Sequence, residues 1–220
     1  MKEMTEAAVP KIKLCGLTRP CDIEAANHLK PDYIGFVFAP KSRRYISPER
    51  AKLLKETLLR ETLGPFLSVV GVFVNGEPET VAELLNQNVI HMAQLHGKED
   101  ESYIRQLRMM TDKPIIQAFR IDTAEDVWKA QESSADYILL DSGNGGTGTV
   151  FDWNLLRQID RPYFLAGGLN PQNVADAVNR LHPYAVDVCS GIETEGLKDR
   201  RKMTEFVRIA REAAGKEGNI

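Results

Sequence analysis

The chain has 220 residues, 43% of them hydrophobic and 27% charged, with a formal net charge of -3. It is long enough to bury a full core without disulfides or metals, and its intermixed charges give no electrostatic case for nucleic acid or an anionic membrane surface as partner. No apolar run approaches a transmembrane helix, and the N-terminal MKEMTEAAVP lacks the apolar core of a signal peptide, so a cytoplasmic protein is expected. The three cysteines, Cys15, Cys21 and Cys189, suit a reducing compartment. None forms a CxxC pair, and the histidines (His28, His91, His96 and His182) lack metal-site spacing, so no metal is expected.

Residues 1–10 read as a short flexible extension. After them, strand-like apolar runs alternate with helical patterns. Strand 11–16 (KIKLCG) precedes helix 20–29. Strand 33–38 (YIGFVF) precedes helix 48–60, which Ser47 and Pro48 open as N-cap and first-turn proline. Strand 68–74 leads to helix 78–87, and strand 92–97 (MAQLHG) to helix 99–110. Strand 114–120 leads to helix 123–132, whose start is weakly signed because Asp126 stands where a capping box wants Glu or Gln. Strand 137–142 runs into a loop with four glycines and a short helix, 153–158. Strand 163–168 leads to helix 171–181, opened by Asn170 and Pro171, and strand 185–190 to helix 198–214. Eight strand–helix units predict a parallel sheet. An open doubly wound sheet usually has fewer strands, so closure into a single-domain (β/α)8 TIM barrel over 11–220 is expected.

In such barrels the C-terminal strand ends hold the active site. Those ends carry Cys15-Gly16, Arg43 and Arg44, Asn75, Gln94 and His96, Arg120, Asp141, Gly167-Gly168, and Asp187 followed by Cys189-Ser190-Gly191. Cysteines on strands are often small buried hydrophobes. Gly16, however, puts the Cys15 thiol where the strand opens, and a thiol can be tuned into a base near neutral pH. Asp141 reads equally as a catalytic carboxylate or as a cap for the glycine loop. A pair of groups of different acidity fits proton-shuffling chemistry without naming the reaction. Phosphate sites in this fold are frequently built by the loops after strands seven and eight, so Gly167, Gly168, Ser190 and Gly191 are expected to hold the phosphate of a small molecule. GNGGTG at 143–148 is then a mobile loop beside the acid. Most loop arginines are solvated, but Arg44 stands over the mouth without acidic neighbours and is a candidate anion clamp. His96 reads as a hydrogen-bonded core histidine, and Asp187 either orients hydroxyls or satisfies neighbouring polar groups.

Through KLCGLT (13–18), GFVFAPKSRRYIS (35–47), VGVFVN (70–75), QLHG (94–97), LLDS (139–142), GGTGTVFDW (145–153), AGGLNPQNV (166–174) and AVDVCSGIE (185–193), the chain resembles the phosphoribosylanthranilate isomerases of tryptophan biosynthesis. The strings cover all but one of the eight units in order; the fifth strand carries the weakest likeness. The resemblance implies a (β/α)8 barrel and a cofactor-free Amadori rearrangement of N-(5-phosphoribosyl)anthranilate. It implies Cys15 as general base, Asp141 as general acid, Arg44 on the anthranilate carboxylate and Asp187 on the sugar hydroxyls, with phosphate on the amides around Gly167, Gly168, Ser190 and Gly191. The partner is a phosphorylated small molecule, and the chain is expected to be a monomer or homodimer. Cys189 departs from the pattern, in which serine is common. Three rival readings remain: a histidine-pathway or bifunctional aminoaldose phosphate isomerase, a non-catalytic barrel that binds a phosphorylated metabolite, and a flavin-phosphate oxidoreductase barrel.

Overall fold

A computed structural model of the chain describes residues 9–58, 67–141 and 153–213. Most of the expected N-terminal extension and the GNGGTG loop lie outside the described residues. Eight strands, β1 (Lys11–Cys15), β2 (Tyr33–Val37), β3 (Ser68–Phe73), β4 (Met92–Leu95), β5 (Ile115–Arg120), β6 (Tyr137–Asp141), β7 (Tyr163–Ala166) and β8 (Ala185–Val188), close into a barrel in chain order. Every pairing is parallel, and β8 returns to β1 with Lys13 opposite Asp187. The helices are α1 (Pro20–Leu29), α2 (Pro48–Glu56), α3 (Pro78–Asn86), α4 (Glu101–Arg108), α5 (Ala124–Gln131), α6 (Val174–Leu181) and α7 (Arg200–Ala213), with a 3-10 helix at Trp153–Gln158. None is long and apolar enough to cross a membrane.

Strand side chains alternate faces, so each strand sends one row inward and one outward. The outward row (Ile12, Leu14, Ile34, Phe36, Val69, Ile138, Leu140, Val186 and Val188) forms one apolar cluster with helix residues such as Ile23, Leu54, Leu85, Leu107 and Phe206. The inward row begins with an aromatic floor, where Tyr33, Tyr137 and Phe164 pack with Tyr184 from just before β8, and ends at the polar mouth.

Local signals place the helix starts, with two corrections. Ser47 accepts from the Arg50 amide as expected. Thr123 and Asp126 close a reciprocal capping box after all, because the Asp126 carboxylate reaches back to the Thr123 amide at 2.8 Å. Asn170 does order the chain ahead of α6, its Oδ1 accepting from the amides of Gln172 and Asn173, but the regular helix begins one turn later at Val174. After β8 the chain makes an unforeseen 3-10 turn (Ser190–Ile192) and a small hairpin, β9 (Glu193–Thr194) with β10 (Leu197–Lys198), before α7. That hairpin delivers two charged groups to the barrel mouth.

Candidate active site

A cavity of about 360 Å³ opens at the C-terminal ends of the strands. Cys15, Arg44, Asp141, Asp187, Gly167, Gly168 and Ser190 all line it, so seven of the eight site residues expected from sequence converge. Gly191 is not in the lining. The position requires glycine: a Cβ there would lie 1.9 Å from the Leu169 carbonyl, so only glycine lets the loops after β7 and β8 approach so closely. In the first of those loops, Asn170 and Asn173 both donate side-chain N–H groups to the Gly168 carbonyl.

On the β1–β8 side, Cys15 is buried, and its thiol fits because β2 has glycine opposite it. A Cβ at Gly35 would meet Cys15 Sγ at 2.6 Å. One step down the same inward row, Lys13 is fully buried and donates to both carboxylate oxygens of Asp187 at 3.0 Å. Lys13 was missed in the sequence, although its i, i+2 spacing to Cys15 on an alternating strand is a legible sign of a shared face. Burial disfavours the Lys13 charge, but Asp187 and Cys15 outweigh this and raise its pKa.

Cys15 also packs against Cys189. Lys198 reaches the Cys189 side from the hairpin, with Nζ 2.8 Å from the Cys189 carbonyl and 3.6 Å from its Sγ. The hydrogen bond from Cys15, with Lys198 and Arg44 nearby, lowers the Cys189 pKa to about 6, whereas that bond and burial push Cys15 up. The cations thus favour a shared negative charge on the thiol pair from the Cys189 side, while burial opposes it at Cys15.

Arg44 is not without an acidic neighbour. Its Nε and Nη2 donate to Glu193 Oε1 and Oε2 at 2.6 and 2.8 Å, and Arg43 and Lys198 bind the same carboxylate. Glu193 comes from the hairpin, 149 residues away, which is why sequence proximity did not reveal it. Burial disfavours its charge, but the bonds from Arg44 and Lys198 bring its pKa down to about 2. One anion thus holds three cations at the mouth, and the cluster keeps a net positive charge for an incoming anion.

On the opposite side, His96 Nε2 lies 3.3 Å from Asp141 Oδ2, and the Gln94 side chain meets His96 Nδ1 at 2.9 Å. Among the described residues no cluster of His, Cys, Asp and Glu side chains is suited to a metal ion.

Fold and cavity together define a (β/α)8-barrel protein whose chemistry-bearing side chains are gathered where such barrels catalyse. The family model for N-(5'phosphoribosyl)anthranilate (PRA) isomerase matches residues 12–209. The N-(5'-phosphoribosyl)anthranilate isomerase of Endomicrobium trichonymphae is 42% identical over 207 residues, spanning 92% of this chain and 99% of the relative. The crystal structure of phosphoribosyl anthranilate isomerase from Thermotoga maritima superposes with a TM-score of 0.81 at 37% identity, covering 92% of this chain and 99% of that one. A phosphoribosyl anthranilate isomerase solved with reduced 1-(o-carboxyphenylamino)-1-deoxyribulose 5-phosphate has a TM-score of 0.78 at 36% identity, with the same coverage. The chain belongs to the N-(5'-phosphoribosyl)anthranilate isomerase family.

Proposed function

We propose that the barrel-mouth cavity converts N-(5'-phosphoribosyl)anthranilate to 1-(2-carboxyphenylamino)-1-deoxyribulose 5-phosphate, a step of tryptophan biosynthesis, with Asp141 as general acid and Cys15 as general base. The observation that carries this assignment is that a thiol and a carboxylate line one cavity with an arginine and two glycine loops. Binding phosphate alone needs neither the thiol nor the carboxylate. The relative solved with the reduced product supports the same ligand class for this cavity.

The rearrangement is an internal aldose-to-ketose shift, so its electrons balance within the substrate. Protonated Asp141 donates to the ring oxygen. The C1–O bond breaks toward that oxygen, and the nitrogen lone pair forms the C1=N iminium. The Cys15 thiolate then takes the C2 proton, giving the enolamine. As the 2-hydroxyl becomes the ketone, its proton returns to the Asp141 carboxylate and the Cys15 thiol protonates C1. Both groups end as they began. Arg44 receives the anthranilate carboxylate and Asp187, fixed by Lys13, orients the sugar hydroxyls. The amides around Gly167, Gly168, Ser190 and Gly191 take the phosphate. The proposal carries with it one catalytic barrel over 11–220, a cytoplasmic setting, and action as a monomer or homodimer.

The test is an assay of the purified chain on both aminoaldose phosphates, following the fluorescence of the anthranilate-linked one. Turnover of the anthranilate substrate is expected. Turnover of only the imidazole-containing substrate of the histidine pathway would overturn the assignment.

A further inference from the structure

The Asp141 side of the cavity holds two polar groups that the scheme above does not use. Gln94 lies on β4 and His96 just beyond its end, two residues apart and both lining the cavity; Asp141 ends β6. Gln94 is 1% exposed, and its Oε1 is buried without a hydrogen-bond partner among the described residues, while its Nε2 lies 2.9 Å from His96 Nδ1. Which amide atom faces the ring depends on the ring's protonation, because a half-turn exchanges oxygen and nitrogen in nearly the same space and an imidazolium presents an Nδ1–H that only the oxygen can accept. The turned amide sets Oε1 against the imidazole, where it accepts from Nδ1–H. It also fixes the ring. With Nδ1 protonated, Nε2 is left to exchange a proton with Asp141 Oδ2, 3.3 Å away.

A carboxyl group of ordinary acidity has lost its proton by neutral pH and is then no acid catalyst. A paired imidazole changes this, because the two groups together retain one proton, on Nε2 or on Oδ2. We propose that Gln94 and His96 are positioning residues that hold a proton in reserve for Asp141. The inference rests on Asp141 being the general acid. In the step, the imidazolium Nε2–H bond breaks as Oδ2–H forms, and Asp141 passes that proton to the ring oxygen as the C1–O pair moves onto oxygen. The proton released when the 2-hydroxyl becomes a ketone returns through the carboxylate to Nε2.

The surroundings favour the charged ring. Burial opposes the imidazolium, but Asp141 from β6, Asp187 from β8 and Cys15 from β1 outweigh it and raise the His96 pKa above 6.5. Lys13 below is occupied by Asp187, Arg120 at the end of β5 is turned to Asp122, and Val72 of β3 and Val74 just past its end line the cavity.

The test is the pH dependence of kcat in the wild type, His96→Asn, Gln94→Glu and Asp141→Asn, with 15N spectra of the histidine ring nitrogens in the wild type. Asparagine hydrogen-bonds but stores no proton. In His96→Asn the alkaline limb of kcat is expected to fall by at least about one pH unit, and kcat at pH 7.5 to drop about 10–100-fold with KM nearly unchanged. Gln94→Glu, which accepts from Nδ1–H when ionised, keeps the limb in place or moves it up. The ring spectra are expected to show His96 holding its second proton to higher pH than a free imidazole. An unmoved limb in His96→Asn, or a wild-type His96 that is neutral with its proton on Nε2 at pH 6.5, overturns the proton reserve. An inactive Asp141→Asn alongside an unmoved His96→Asn limb leaves the acid assignment standing and removes only the reserve. A fully active Asp141→Asn removes both.

Discussion

The floor and the mouth of this barrel are built from the same inward rows and use them in opposite ways. At the floor, Tyr33, Tyr137, Phe164 and Tyr184 stack edge and face with ring centroids 5.1 to 5.8 Å apart, and the Tyr33 and Tyr184 hydroxyls meet at 3.0 Å. Burying such rings is favourable in itself, and their polar tips satisfy each other. At the mouth the rows carry the Lys13–Asp187 pair, two thiols, and the His96–Asp141 pair, with the Arg44–Glu193–Lys198 cluster above. Taking charges such as fully buried Lys13 out of water costs several kcal/mol per ion, and pairing often does no more than offset that. Aromatic packing would hold a barrel end more cheaply. The charged end is therefore explained by what it does to a substrate, and the aromatic end by stability.

The largest effects should separate the two ends. Cys15→Ser and Asp141→Asn are each expected to lower kcat by about 10²–10⁴, or roughly 3–5 kcal/mol of barrier, while leaving the melting temperature and product-analogue affinity near wild type. Near-wild-type turnover in either variant removes that residue from its role. Phe164→Ala is the mirror experiment. It empties a fully buried ring from the floor and is expected to cost about 3–5 kcal/mol in denaturant unfolding. Its kcat per folded molecule, measured well below the unfolding midpoint, should stay within about threefold of wild type. A turnover loss matching the Asp141→Asn loss would show that floor and mouth are mechanically one unit, and the division would fail.

What the sequence disclosed follows the same division. Each strand is a short apolar run ended by a turn signal, so all eight were legible, and with them the barrel mouth that Cys15 and Asp141 both line. Local caps were legible too, because Ser47 acts within three residues of itself. The interactions that tune the mouth were not. Arg44 finds Glu193 only through a hairpin that no periodicity announces, and Cys15 finds Cys189 only because β8 closes onto β1. Lys13 lay in plain view as the inward neighbour of Cys15, but it takes the closed barrel to show Asp187 as its partner. Position along a strand is a local property; the partner across a closed barrel is not.

The smallest expected effect tests the finest part of the mouth. No step of the proposed scheme passes through Cys189, so the second thiol should alter only the pH at which the base is loaded. In the wild type the thiol pair loses its first proton near the Cys189 value of about 6, held down by the Cys15 hydrogen bond, Lys198 and Arg44. Cys15 becomes the base when its proton crosses to Cys189, so the acid limb of kcat/KM is expected near that pH. Cys189→Ser keeps the size and removes the ionisation. Cys15 must then lose its own proton against burial, with Lys13 as the group that favours the thiolate. The acid limb should move to higher pH by about one unit or more, so that kcat/KM near pH 6.5 falls roughly tenfold and recovers by pH 9. Alkylation of Cys15 by iodoacetamide should shift in the same direction. If neither moves, the negative charge belongs to Cys15 from the start, and the cations gathered around Cys189 serve the substrate's anions rather than the base.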